Sequence, residues 1–396
     1  MNDEANEIEY NHCVGCGLCE VEFKNNATMK ISQSGFIRPF FKYRFDEKKI
    51  QSFCPITNNP KKYSDHIWGH YEAVYLGSSL DQKVCELGSS GGIITQVLIY
   101  LLESKAVDGI IHIGAKQDNP LENTTYISKS RDDIIRNAGS RYAPSSPLSR
   151  LDELLNQDMK YAFVGKPCDI RALNNYALKK PLVNDKILYK ISFFCAGTPS
   201  YRGSDQVLVK MKVSKNDVKE FRYRGNGWPG YVTAITQNGE SITMTYNEAW
   251  GSILNKYVQP YCRWCADGIG EFADISCGDA WYIDRNNKPI FIENKGRNII
   301  FARTKQGNRI LEEMLENRLI NIIDYIQELS SLKHMNYYQY YRKATMLGKI
   351  VALKLLRFET PKYDINTLWS WSKNIELKHN IRVFIGTLLR KLQKKF

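Results

Sequence analysis

The chain contains no run of about eighteen apolar residues, so no segment reads as a bilayer-spanning helix. Its opening, MNDEANEIEY, has neither a basic flank nor an apolar stretch, and a secretory leader is therefore not expected. Internal repeats and low-complexity linkers are absent as well. So is any acidic excess: 55 Lys and Arg face 42 Asp and Glu, a net charge of +13. Residues 331–396 hold 14 Lys/Arg against 3 Asp/Glu, a net +11, so the preceding 330 residues are nearly neutral. What is plentiful is cysteine, with ten in 396 residues. Where no leader is expected, cysteines at this density point to metal ligation or redox chemistry before disulfides, and a cytoplasmic setting is expected.

A hydrophobic content of 43% and a charged content of 24% suit a globular chain that buries one large core and a smaller module. Residues 1–62 carry four cysteines among short polar stretches, with too few periodic apolar positions for a core of their own. Modules of that kind are usually held by a metal. Residues 63–306 alternate strands and helices. Residues 91–104 read as a buried helix and residues 107–115 as a buried strand. Residues 161–164 read as a strand feeding a Gly165-Lys166-Pro167 turn and a helix from Asp169. Residues 186–194 form another strand, ending at Cys195-Ala196-Gly197. Residues 231–246 and 270–303 are richer in β signals, and from about Gly307 the pattern is helical to the end. The expected class is α+β or α/β: a small iron–sulfur module, a mixed body, and a helical, basic C-terminal region over 307–396.

Cys13-Val-Gly-Cys16-Gly-Leu-Cys19 is a C-x2-C-x2-C run with glycines at 15 and 17, and Cys54-Pro55 stands apart from it. Three thiolates at that spacing reach three irons of one cubane, and a distant Cys-Pro supplies the fourth, as in bacterial ferredoxins. A two-cluster ferredoxin is not expected, because the positions its second cubane needs are Phe23, Arg44, Glu47 and Ile50. Zinc is the alternative, although it usually takes paired C-x2-C units.

Six cysteines remain. Cys262-Arg-Trp-Cys265 is a chelating pair. Cys168 and Cys195 follow the carboxyl ends of two expected parallel strands, where residues of an open α/β sheet converge. These four make a candidate second [4Fe–4S] site. Cys85 and Cys277 read as small buried hydrophobes.

With these landmarks the chain resembles the β-subunit family of the deazaflavin-coenzyme (F-four-twenty) hydrogenases and dehydrogenases. That family also includes 7-hydroxymethyl chlorophyll reductase and bacterial members encoded among polysaccharide-biosynthesis genes. The resemblance covers about residues 10–300 and rests on the joint order of its motifs. These are Cys13–Cys19 with Cys54-Pro55, Ser89-Ser90-Gly91-Gly92, Gly165-Lys166-Pro167-Cys168 and Phe194-Cys195-Ala-Gly197. Gly227-Trp228-Pro-Gly230, Cys262-x-x-Cys265 and Gly278-Asp279-Ala280-Trp281 follow.

The resemblance implies an FAD-dependent iron–sulfur oxidoreductase whose flavin sits in the α/β body and exchanges a hydride with a substrate. The residues allow a flavin but leave alternatives open. Ser89, Ser90, Gly91 and Gly92 precede a helix, where bare backbone N–H groups approach a phosphate; they are equally an N-cap with packing glycines. Arg141 and Tyr142 suit a pyrophosphate and a ring, or an exposed loop. Lys166 places a positive charge near flavin or cluster, or is solvated. Trp228 packs over an isoalloxazine or plugs a core. Asp267, Glu271, Asp274 and Asp279 are acid–base candidates, with no catalytic residue assigned.

The resulting scheme takes electrons from a soluble donor such as reduced ferredoxin, through two clusters and FAD, to an unidentified small molecule, with a role in polysaccharide biosynthesis in view. The alternative is an electron-transfer subunit that serves a partner enzyme and has no substrate of its own. In the tail, residues 346–357 and 380–395 mix leucine, isoleucine, valine and phenylalanine with lysine and arginine. Ile381, Phe384, Leu388, Leu389 and Leu392 share a helical face, and Trp369 and Trp371 would suit an interface. That composition fits a helix lying on an anionic membrane, or one packed on the body with a solvated basic face. No recognition motif accompanies the charge, so nucleic acid is not an expected partner.

Overall fold

The computed structural model describes residues 7–57 and 62–392. Residues 7–57 build a small antiparallel sheet in the order β1-β3-β2, from β1 (Ile8–Glu9), β2 (Ala27–Ile31) and β3 (Ile37–Phe41). Phe41 is completely buried there; Phe45 stacks on it at 3.8 Å and Phe23 meets it edge-on at 5.3 Å. These aromatics are too few for a separate core. Leu18, Phe41 and Phe53 run into one apolar cluster with Leu148, Phe163 and Ile170 of the body. The N-terminal segment is thus docked on the body and not merely tethered to it.

The body's large sheet is made from β4 (Ala73–Ser79), β5 (Gly109–Ala115), β6 (Asn123–Ser128), β7 (Tyr161–Gly165) and β8 (Ile187–Phe193). The chain then leaves it for a small antiparallel sheet of β9 (Val218–Arg222), β10 (Tyr231–Thr236) and β11 (Ser241–Thr245). It returns as β12 (Ile275–Asp279), β13 (Asn298–Ala302) and β14 (Ile320–Tyr325). The eight strands lie in the order β14-β4-β13-β12-β8-β7-β5-β6. The central run β5, β7, β8 and β12 is parallel, and antiparallel partners flank it on both sides.

Alternation decides what each face buries. Phe163, Ile299 and Phe301 face one apolar cluster, which also holds Ile170 and Leu173 of the helix Pro167–Lys179. Ala162, Ile191 and Ile300 meet Ile93–Glu103 and Lys305–Glu316 through Val97, Ile310 and Met314 on the other face. Burial on both sides is why these strands read as continuous apolar runs.

The helix expected over 91–104 spans Ile93–Glu103, and the strands expected at 107–115, 161–164 and 186–194 are β5, β7 and β8. One expectation needs correction. The chain is not helical throughout after Gly307: Ile320–Tyr325 pairs antiparallel with β4 as an edge strand. Its β-branched residues follow the helix Lys305–Glu316 too closely for helical periodicity to reveal the change. Beyond it lie helices Tyr337–Ala344, Met346–Leu355, Ile365–Ser372 and Leu377–Leu392. Among the described residues no helix is long and apolar enough to cross a membrane.

Candidate functional site

Two sets of thiols, buried except for the half-buried Cys168 and Cys195, lie at the junction of the N-terminal segment and the large sheet. Cys13, Cys16 and Cys19 sit on a turn whose glycines, Gly15 (φ +82°) and Gly17 (φ +99°), occupy the left-handed region that other residues avoid. Gly17 has a second constraint, since a Cβ there would stand 2.5 Å from the Ser149 backbone nitrogen. Cys54 arrives at the end of the helix Glu47–Gln51. The four thiols lie within one another's field. Burial, then Cys13 and Cys54, push Cys16 well up; burial and the other three thiols do the same to Cys19. Cys54 is pushed up to about 11 by burial, with Cys13 adding to it.

The second set forms where β7 and β8 end. The turn after β7 places Pro167 at the first helical position, with the Lys166 N–H donating to Asp169 Oδ2 at 3.0 Å. This cap fixes Cys168 at the helix start. Cys195 follows β8, its N–H donating to Gly268 O at 2.8 Å. Gly197 (φ +133°) leaves only 3.2 Å between an added Cβ and Cys262 Cβ, so the chain after Cys195 lies against the Cys262–Cys265 turn. Burial and then Cys262 push Cys195 up to about 12, while Cys168 is raised well up by burial, Asp169, Cys195 and Cys262. All four sequence-selected members come together. Cys277 instead packs in the apolar sheet cluster, and the half-buried Cys85 donates its thiol to Ser79 O at 3.2 Å.

Cations link and flank the two sets. Arg38 Nη1 donates to Cys13 O at 2.7 Å and to Gln259 Oε1 at 3.1 Å, joining the first turn to the segment carrying Cys262. Lys166 Nζ lies 2.8 Å from Asp169 Oδ2 and donates to Ser145 Oγ at 3.0 Å. Burial opposes its charge, but Asp169, Cys168 and Cys195 outweigh that and hold the ammonium above the ordinary lysine range. Arg342, 6% exposed, lies in the field of Cys265, Cys195 and Cys262. Its Nη2 is buried with no hydrogen-bond partner, and it fits only because residue 268 is glycine.

A cavity of about 470 Å³ opens beside Cys195. Ser89, Ser90 and Gly92 line one side, Lys166 lies on its floor, and Tyr142, Tyr246 and Trp281 supply aromatic wall. Gly91 is held behind, wedged against Asn298 and the β4 backbone. Two expectations shift in place. Arg141 directs its guanidinium away, donating to Asn123 Oδ1 at 2.8 Å and to the carbonyls of Phe221, Pro120 and Glu122 at 2.8, 2.7 and 3.1 Å. It scaffolds the cavity loop instead of offering charge to a phosphate. Trp228, 2% exposed, stacks on the back of Trp281 at 4.7 Å and is absent from the cavity lining. Its Nε1 donates to Asp279 Oδ1 at 2.7 Å, and Arg224 grips the same carboxylate with two bonds of 2.9 Å.

Of the acidic candidates, only Asp279 reaches the cavity. Glu271 is buried in an ion pair with Lys343, Asp267 caps the Gly270 and Glu271 N–H groups, and Asp274 accepts from Lys190 N and Thr304 Oγ1. Sequence reasoning passed over Arg224, Tyr246, Arg342 and the wall residues Tyr337–Gln339. Trp281 stood in a motif, yet nothing in its spacing assigned it to the wall.

Residues 74–152 match the N-terminal part of the coenzyme F420 hydrogenase/dehydrogenase beta subunit family, and residues 158–328 match its C-terminal part. The chain belongs to this family. Among its relatives, the coenzyme F420 hydrogenase subunit beta of Methanosarcina barkeri is 26% identical over 253 residues, covering 62% of this chain and 79% of that protein. The coenzyme F420-dependent sulfite reductase of Methanocaldococcus jannaschii is 26% identical over 344 residues, 82% of this chain but only 51% of that longer protein. In structure the chain is similar to one in the F420-reducing [NiFe] hydrogenase complex from Methanosarcina barkeri, with a TM-score of 0.55 and 22% identity, over 74% of this chain and 96% of that one. The family match stops at residue 328, so Arg342 and the wall residues Tyr337–Gln339 lie beyond it.

Proposed function

We propose that the chain is an iron–sulfur electron-transfer subunit that hands electrons to or from a partner enzyme. The observation that carries this is the convergence of eight cysteines, six of them buried and Cys168 and Cys195 half-buried, into two sets at one junction, beside a cavity. The donor chemistry fits two [4Fe–4S] clusters: Cys13, Cys16, Cys19 and Cys54 for one, Cys168, Cys195, Cys262 and Cys265 for the other. The orphaned Nη2 of Arg342 and the ammonium of Lys166 would offset the negative charge that such a cluster brings.

The cavity fits a planar cofactor such as FAD. Ser89, Ser90 and Gly92 offer a backbone cradle, while Tyr142, Tyr246 and Trp281 exclude water from a ring. When bound, clusters pass single electrons and a flavin joins one-electron to two-electron chemistry. The chain's own residues would hold these groups, keep solvent from the junction and supply fixed positive charge.

Relatives named as hydrogenase, dehydrogenase and sulfite reductase components support the subunit reading. Reduced ferredoxin remains the proposed donor. The volume and aromatic wall of the cavity favour a second reading, an enzyme with its own small-molecule substrate. Anaerobic purification followed by iron and flavin quantitation tests the proposal. About eight irons per chain, with bound flavin reduced only when a partner is added, is the expected result. About four irons without flavin overturns the scheme, and steady turnover of a small molecule by the isolated chain replaces it with the enzyme reading.

A further inference from the structure

The helix Leu377–Leu392 is packed with its apolar side out. Its inward residues are Asn380 and Thr387, 5% and 1% exposed. Asn380 Nδ2 donates to Ala344 O at 3.2 Å and its Oδ1 accepts from Gly348 N at 3.1 Å. Gly348 has no side chain to keep the two helices apart, and its missing Cβ would run into the Asn380 backbone. A close polar crossing of this kind leaves no room for leucine between the helices.

The solvent side carries Leu377, Ile381, Ile385, Leu389 and Leu392 at 69, 49, 49, 52 and 71% exposure. Steps of four, four, four and three residues align them in one stripe. A surface helix of a globular protein normally shows the reverse arrangement. The helix does pack on the body, as the alternative weighed from the sequence has it, but through Asn380 and Thr387 and not through its apolar stripe. Phe384 and Leu388 are half-buried at the margin.

Cations flank the stripe. Residues 370–392 hold Lys373, Lys378, Arg382, Arg390 and Lys391 against the single acid Glu376. Arg382 is exposed directly beside the stripe, and Lys378 is exposed while paired with Glu376 at 2.6 Å. Trp369 on the preceding helix is 56% exposed. Trp371, expected at an interface, is instead completely buried and donates its Nε1 to Ser64 O at 2.9 Å.

We propose that this stripe rests on an anionic membrane surface. The geometry is that of an in-plane amphipathic helix: the leucines and isoleucines enter the acyl boundary while the lysines and arginines meet lipid phosphates. The charge selects the occupant. Exposed Lys373, Lys378, Arg382 and Arg390 outnumber the one acid, Glu376, while Lys391 is turned onto the Phe358 ring at 3.5 Å. An apolar ridge in that setting is complementary to an acidic, deformable layer, and its net positive charge opposes a second copy of itself.

Co-sedimentation of the full chain with vesicles tests this. Phosphatidylcholine vesicles containing phosphatidylglycerol should bind the chain, and pure phosphatidylcholine should bind it at least about tenfold more weakly. The triple variant Ile381→Asp, Ile385→Asp, Leu389→Asp should lose at least about tenfold in binding, with unchanged circular dichroism because all three side chains are already exposed. Equal binding to both vesicle types, or undiminished binding of the triple variant, overturns the proposal. A wild-type dimer that the triple variant turns into a monomer in sedimentation equilibrium also overturns it, because a second copy would then cover the stripe.

Discussion

Replacing Lys343 by methionine should destabilise the chain by about 3 kcal/mol. Lys343 Nζ lies 2.9 Å from Glu271 Oε2, and the two side chains are 2% and 0% exposed. The ammonium also faces the rings of Trp371 at 4.5 Å and Tyr63 at 5.8 Å. The other oxygen of Glu271 accepts from Ser64 N at 2.6 Å, and Gly69 packs hard against the carboxylate. Both side chains are closed off from solvent, which leaves the carboxylate without a replacement for the lost cation. Methionine fills the stem's volume, so the cost comes from the stranded carboxylate, for which breaking a buried pair costs about 3–5 kcal/mol. Arg303 lies in the field of Glu271 and offsets part of that, which sets the expectation at the lower end. Removing both charges, with Lys343→Met and Glu271→Leu together, should recover most of the loss, since a well-packed apolar replacement for a buried pair is often neutral. Urea unfolding of the three variants beside the parent measures this directly. If Lys343→Met stays within about 1 kcal/mol of the parent, or if the double variant is no more stable than the single one, the reasoning fails.

Three further outcomes are expected. His112 is held down to about 4 by burial, so the unfolded chain binds this proton first as pH falls. The corresponding stability is fully present above pH ~6.5 and declines by up to about 3 kcal/mol toward pH ~4; His112→Asn should flatten that part of a stability–pH curve. Gly17→Ala should strip iron from the N-terminal site, because the new methyl meets the Ser149 backbone at a left-handed position; iron content equal to the parent's would refute it. With the proposed second cluster in place, Arg342→Gln should lower its midpoint by about 59 mV, a tenfold change for one electron, in a potentiometric titration. An unmoved midpoint would show that the buried guanidinium does not act on that cluster.

Spacing made the first cysteine set legible: C-x2-C-x2-C with a distant Cys-Pro marks four thiols that the fold brings together, and Phe23, Arg44, Glu47 and Ile50 stand where a second set would need its own. The second set was legible only through strand order. Cys168 and Cys195 follow strands that the fold lays side by side as parallel neighbours, and the Cys262–Cys265 turn then folds over Cys195. Side-chain direction was not legible. Arg141 and Trp228 stand at the expected loops, yet one turns toward carbonyls and the other stacks behind Trp281.

Cysteine spacing, apolar runs and the uneven charge are local properties of the chain, and by themselves they determined the α/β body, the cysteine-rich turns and the basic C-terminal region. Only the tertiary structure decided which face of the last helix meets solvent and which cations flank the thiols. Both depend on contacts between residues far apart in sequence: Gly348 against Asn380, Arg342 against residue 268, and Lys343 against Glu271. No periodicity or spacing encodes such pairings, because each is set by the shape left over after the sheet has packed.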